Sequence, residues 1–130
     1  MTGSGKARVL AVEDNADTRT LLKHLLQTRY DLVLTGRVDE ALEAADGHRF
    51  DLFLLDINLG EARTGVDLLH ILRGNPAHAA TPAIAITAYA LPGDRDQFIA
   101  SGFNGYLSKP FNRAALTAAI EDLLLGNGER

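Results

Sequence analysis

The stretch that most constrains the fold is "DLFLLDINLG", residues 51–60. Leu52 to Leu55 run without a polar break, and the run stops on a carboxylate, Asp56. Strands that are apolar on both sides are covered on both sides, as in a parallel sheet flanked by helices. A lone ionised carboxylate at the end of such a strand is costly unless it is paired or binds a metal. The same ten residues therefore raise a question of fold and a question of chemistry.

Comparable runs recur along the chain. "RVLAV" (8–12), "DLVLT" (31–35), "PAIAIT" (82–87) and the short "GYLS" (105–108) read as further strands, with "DLFLL" (51–55) as the third in order. Helical stretches separate them. Residues 15–30 place Leu21, Leu22, Leu25 and Leu26 at helical spacing behind a cap at Asn15 or Asp17. Residues 38–47 are rich in helix formers and stop at Gly47. Residues 65–75 turn Val66, Leu69 and Leu72 inward and end near Gly74, while 93–102 and 112–126 supply the last two helices. Strand–helix alternation of this kind predicts an α/β fold, a doubly wound five-stranded parallel sheet with five helices.

Bulk properties narrow the function. The 130 residues suit one domain, expected over 7–126 with loose tails at 1–6 and 127–130. A net charge of −4 gives no electrostatic footprint for nucleic acid and no polybasic patch for a membrane. Without cysteine there is no disulfide framework and no thiolate chemistry. No apolar run reaches membrane-spanning length, and "MTGSGKARVL" lacks the core of a signal peptide, so the cytoplasm is the expected location. "GSGK" (3–6) lacks the strand and the following Ser or Thr of a phosphate loop and reads as tail. His24, His48, His70 and His78 share no ligand spacing.

In an open α/β sheet, ligands sit beyond the carboxyl ends of the strands. Strand one ends in Glu13-Asp14, strand three in Asp56, strand four in Thr87-Ala88, and strand five runs into Lys109-Pro110. Three acids, a hydroxyl and an ammonium would converge on one edge. A hard divalent cation would offset the acids, and Lys109 and Thr87 would face an anion beside it. That is equipment for phosphoryl transfer to a carboxylate nucleophile.

With "VEDN" (12–15), "LLDINL" (54–59), "AITAYA" (85–90) and "YLSKPF" (106–111) in this order, the chain resembles a receiver domain of the two-component response regulators along essentially its whole length. The resemblance implies a flavodoxin-like sheet of strand order 2-1-3-4-5. It implies Asp56 as phosphate acceptor, Asp14 as main ligand of Mg²⁺ (or Mn²⁺) with Glu13 acting partly through water, and Asn58 lending its backbone carbonyl. Lys109 and Thr87 would contact the phosphoryl group, Tyr106 would be the aromatic switch, and Asn58 and Tyr89 would flank the path of the hydrolytic water. The Lys109–Pro110 bond would be cis. The implied partners are a sensor histidine kinase or histidine phosphotransfer protein and a downstream protein target, with no nucleic acid, no membrane, and no catalysis beyond the chain's own phosphorylation and dephosphorylation. Only "NGER" follows Gly126, so the expectation is a stand-alone receiver or one excised from a larger sensor kinase.

Three places depart from the family pattern. Gly60 stands where a proline is usual, and the glycine usual eight residues after the acceptor falls nine after, at Gly65, so a loop one residue longer and more mobile is expected. "GFNGY" (102–106) replaces the acidic pair of a charged dimer interface. Two other functions on related α/β folds remain for comparison. A flavin-binding electron carrier needs a hydroxyl- and glycine-rich loop after strand one, where "VEDNADT" is acidic. An aspartate-nucleophile phosphatase needs a second acid two residues after the nucleophile, where Asn58 stands.

Overall fold

Alternation within the central strands sorts their side chains onto two faces. In the computed structural model, which describes residues 6–88 and 93–125, the elements are β1 (Arg8–Val12), α1 (Ala16–Leu26), β2 (Asp31–Thr35), α2 (Val38–Ala45), β3 (Leu52–Asp56), α3 (Gly65–Arg73), a 3-10 turn (Pro76–His78), β4 (Ala83–Thr87), α4 (Asp94–Ala100), β5 (Gly105–Ser108) and α5 (Arg113–Leu124). The tails expected at 1–6 and 127–130 lie outside these residues, apart from Lys6. The strands form one sheet of order β2-β1-β3-β4-β5, and every pairing is parallel.

Leu10, Val12, Phe53, Leu55, Ala83 and Ala85 face one core, closed by Val38, Ala41, Leu68, Leu69 and Leu72 of α2 and α3. Val9, Ala11, Leu52, Leu54, Ile84 and Ile86 face the other, closed by Leu22, Leu25 and Leu26 of α1 and Leu116 and Ile120 of α5. This two-sided burial is why the runs look unbroken in the sequence. Each Leu or Ile so buried contributes about 1.5–3 kcal/mol, which outweighs any single cap or ion pair. Among the described residues no helix is long and apolar enough to cross a membrane.

Local chemistry sets the helix starts. Asn15 caps α1 by accepting from Thr18 N, Asn112 caps α5 by accepting from Ala115 N, and Thr64 with Asp67 forms a reciprocal capping box on α3. The reading of α1 needs two corrections. The helix stops at Leu26, where the amides of Arg29 and Tyr30 fold back onto the Leu26 carbonyl, and Leu21 is 41% exposed at the edge of the buried stripe. His78 is a core histidine, its Nε2 donating to Ala45 O at 2.9 Å and its ring edge-on to Phe53.

α2 is capped from outside its own sequence. Its N-cap residue, Arg37, makes no side-chain capping bond, and the Val38 amide donates instead to Glu61 Oε2 at 3.2 Å, from the loop after β3. Arg63 of the same loop pairs with Asp39 at 2.7 Å. A loop residue thus caps a helix from which it is distant in sequence. Glu61→Ala is expected to lower stability by about 1 kcal/mol, the usual size of a lost cap, while Glu61→Gln, which keeps an acceptor, loses less. Urea unfolding of the two variants checks this, and equal midpoints for wild type and Glu61→Ala would show that the contact contributes nothing.

Candidate functional site

Strand order reverses between β1 and β3: β2 lies outside β1, while β4 and β5 continue beyond β3. Carboxyl ends of strands at such a switch point leave a crevice. Glu13 and Asp14 follow β1 directly, and Asp56 is the last residue of β3, in register with Ile86 of β4. The carboxylates of Glu13, Asp14 and Asp56 come together with one oxygen from each inside a 4.8 Å span. Asp14, Asp56, Asn58, Thr87 and Lys109 line a common cleft of about 250 Å³.

Glu13 is fully buried and Asp56 is 3% exposed, whereas Asp14 is exposed. Two buried carboxylates side by side need a counter-charge, and Lys109 supplies it. Its ammonium lies 2.8 Å from Glu13 Oε1 and 3.1 Å from Asp56 Oδ2. The contact with Asp56 is a hydrogen bond, and that with Glu13 is the shorter ion pair. Burial, and then the adjoining Asp56, push the Glu13 carboxyl above its usual range against the pull of Lys109. At Lys109 burial works against the charge, but Glu13 and Asp56 outweigh it and raise the ammonium's pKa. The lysine is therefore held as a cation.

The backbone aims these groups. Asn58 N donates to Asp56 Oδ1 at 3.1 Å, Asn15 N donates to Glu13 Oε2 at 3.0 Å, and Lys109 N donates to Thr87 O at 2.8 Å. The Lys109–Pro110 bond is cis. Thr87 is 4% exposed at the end of β4. Tyr106 stands apart on β5, half-buried, its ring 5.9 Å from that of Phe98. Tyr89 lies outside the described residues.

The longer loop has a physical reason for each of its glycines. Gly60 takes φ +68, which proline's ring forbids, and a Cβ there would lie 2.9 Å from Asp14 Oδ2. Gly65 opens α3 against the backbone of Asp56, and its amide closes the loop on Ile57 O at 2.9 Å. Gly60 N donates to Asn58 Oδ1, so the segment from 57 to 65 is tied at both ends and to α2. At the other departure, Asn104 points its amide oxygen at the first residue of β4, accepting from Ala83 N at 2.9 Å while its own N–H donates to Ala83 O.

The sequence did not reveal one contact behind the acidic pair. Arg19 Nη1 donates to both Glu13 O, at 2.8 Å, and Asp14 O, at 2.9 Å, from the second turn of α1. An arginine one turn past a capped acidic pair was the available signal.

The profile of the response regulator receiver domain matches residues 9–121. The chain belongs to that family. It is 33% identical over 117 residues to the polar-differentiation response regulator DivK of Brucella anthropi, covering 89% of this chain and 94% of the relative. Among solved structures, the chemotaxis response regulator CheY4 of Vibrio cholerae aligns with a TM-score of 0.84 at 30% identity, over 91% of this chain and 98% of that one. The receiver domain of sensor histidine kinase PA1611 from Pseudomonas aeruginosa, solved with a magnesium ion coordinated in its active-site cleft, aligns at 0.82 and 31%, over 92% and 98%. Receivers are phosphorylation-switched signalling modules rather than conventional enzymes, and the sheet order found here is theirs.

Proposed function

We propose that this chain accepts a phosphoryl group on Asp56 from a phosphohistidine of a sensor kinase or histidine phosphotransfer protein, in the cytoplasm, and signals by protein contact. The observation that carries the reading is the meeting of three carboxylates and Lys109 at the β1/β3 switch point.

An Asp56 oxygen attacks phosphorus. The bond from phosphorus to the donor's imidazole nitrogen breaks, its electron pair stays on that nitrogen, and the imidazole leaves neutral after taking a proton from solvent. Asn58 N orients the attacking carboxylate by its bond to Oδ1. Lys109, already charged and 3.1 Å from Oδ2, exchanges that partner for a phosphoryl oxygen. Thr87 meets the phosphoryl group through its hydroxyl. The donor set is all oxygen and mostly anionic, which suits Mg²⁺ or Mn²⁺. Asp14, Asp56 and the Asn58 carbonyl would hold the ion, with Glu13 assisting through water, and when bound it supplies neutralising charge for acids and phosphoryl oxygens. The reply to phosphorylation passes from Thr87 through β4 and β5 to Tyr106, and so to the face formed by α4, β5 and α5 that a target reads. Neither alternative finds support at the site: the loop after β1 is acidic, and Asn58 is no general acid.

Wild-type protein given acetyl phosphate is expected to gain one phosphate by intact mass with Mg²⁺ present and none with EDTA. Uptake unaffected by EDTA would reject the metal assignment. Profiling against the kinases of the source organism then names the donor.

A further inference from the structure

Asp14 is exposed, yet its carboxylate must stand beside Asp56 for the site to work. The direction in which its side chain leaves the backbone is set by the two peptide planes on either side of its Cα. The carbonyl of one plane belongs to Glu13 and that of the other to Asp14, and both accept from the same nitrogen, Arg19 Nη1. One guanidinium therefore restrains both backbone rotations about the Cα from which the side chain leaves. The Glu13 amide is held as well, by Thr35 O at 3.0 Å across to β2.

The neighbouring turn makes room for this brace. At Gly36, just after β2, a Cβ would fall 2.7 Å from Arg19 Nη1 and 3.3 Å from its Cζ. Gly36 does not adopt a left-handed conformation, so space for the guanidinium explains the missing side chain. We infer that Arg19, seated in the space Gly36 leaves, is a positioning residue that preorganises the Glu13-Asp14 pair for a divalent cation. This rests on the receiver reading and extends it to a residue that touches neither metal nor phosphate.

Two effects of Arg19 oppose each other. Its positive charge repels an incoming cation, whereas its hydrogen bonds hold the ligands ready. Removing it tightens Mg²⁺ binding if charge dominates and weakens it if positioning does, so the sign decides.

The test is titration of the full chain with Mg²⁺ alone, followed by amide shifts in ¹H–¹⁵N spectra. Arg19→Gln is expected to weaken binding on the order of tenfold, the usual scale for partners that orient a ligand. Gly36→Ala keeps the charge and displaces only the tip of the guanidinium, and it should weaken binding in the same direction. Arg19→Lys, which retains a donor for the two carbonyls, should recover part of the loss. Phosphate uptake by Arg19→Gln should return to the wild-type rate at saturating Mg²⁺, since Asp56 and Lys109 are untouched. Where Arg19→Gln disturbs the spectrum beyond the loops after β1 and β2, Gly36→Ala carries the test. Unchanged or tighter Mg²⁺ binding in both variants, with wild type binding normally, would overturn the proposal alone. A wild type that takes neither Mg²⁺ nor phosphate would overturn the receiver reading and this proposal with it.

Discussion

Asp56→Asn protein incubated with acetyl phosphate and Mg²⁺ is expected to keep its unphosphorylated mass, while wild type gains one phosphate. The substitution replaces a carboxylate by an amide of the same shape. The amide oxygen still accepts from Asn58 N, as Oδ1 does now at 3.1 Å. Lys109 loses Asp56 Oδ2 but keeps Glu13 Oε1 at 2.8 Å, so its charge is not left without a partner. The neighbouring Glu13 carboxyl is held up by burial first and by Asp56 next. Above its raised pKa such a group costs the folded state stability, because it is charged in surroundings that disfavour the charge. Removing the Asp56 charge relieves a part of this, the repulsion between the two carboxylates. The variant should therefore melt at the wild-type temperature or above it at neutral pH, while losing all uptake. Intact mass and a melting curve on one preparation check both halves. An added phosphate on the variant would show that another residue is the acceptor. A much lower melting temperature would show that Asp56 stabilises the fold through Lys109.

That pairing of chemical loss with structural neutrality follows from how the site is assembled, and it bears on what the sequence made visible. The acids stood out because each interrupts an apolar run at the end of a strand. That placement alone gives Glu13, Asp14, Asp56, Thr87 and Lys109 a common edge. Asp56 does end the third strand, as the break in its apolar run implies, and it pairs with Ile86 inside the ladder. The helical pattern runs four residues past the end of α1 because nothing between Leu26 and Tyr30 is a glycine or proline, and Tyr30 re-enters the core from a turn. The 3-10 turn at Pro76–His78 had a signal, Asn75 followed by proline, that is a cap and first-position pair. The Glu61 cap on α2 and the Arg19 brace join residues from different elements or carry meaning only through backbone carbonyls, and periodicity is blind to both. Gly60 and Gly65 were legible as departures, but their reasons, a positive φ and a forbidden Cβ, exist only in three dimensions.

Gly65→Ala is expected to be the most damaging single methyl that can be added to this chain near the site. A Cβ at Gly65 would lie 2.2 Å from Asp56 O, 2.9 Å from Asp56 C and 3.0 Å from Ile57 Cα. All three are backbone atoms, so no side chain can swing aside. Gly65 has no left-handed φ, and the penalty is therefore steric rather than conformational. The start of α3 must withdraw from β3 by on the order of 1 Å to reach ordinary contact. That withdrawal strains the Gly65 N–H to Ile57 O bond, the Thr64–Asp67 capping box, and the packing of Leu68 and Leu69 on the sheet. Overpacking in rigid surroundings costs roughly 1–3 kcal/mol, and more where backbone must move. We expect about 3 kcal/mol, and a fall in melting temperature of roughly 10 °C for a chain of this size. Phosphate uptake should fall too, because the atom displaced is the carbonyl of the acceptor itself. Gly105→Ala is the control: nothing lies within 4 Å of the added methyl and no left-handed φ is required, so its melting temperature should stay near wild type. Equal melting curves for the two variants would mean that α3 does not rest on Asp56, and that the close approach does not hold the acceptor in place.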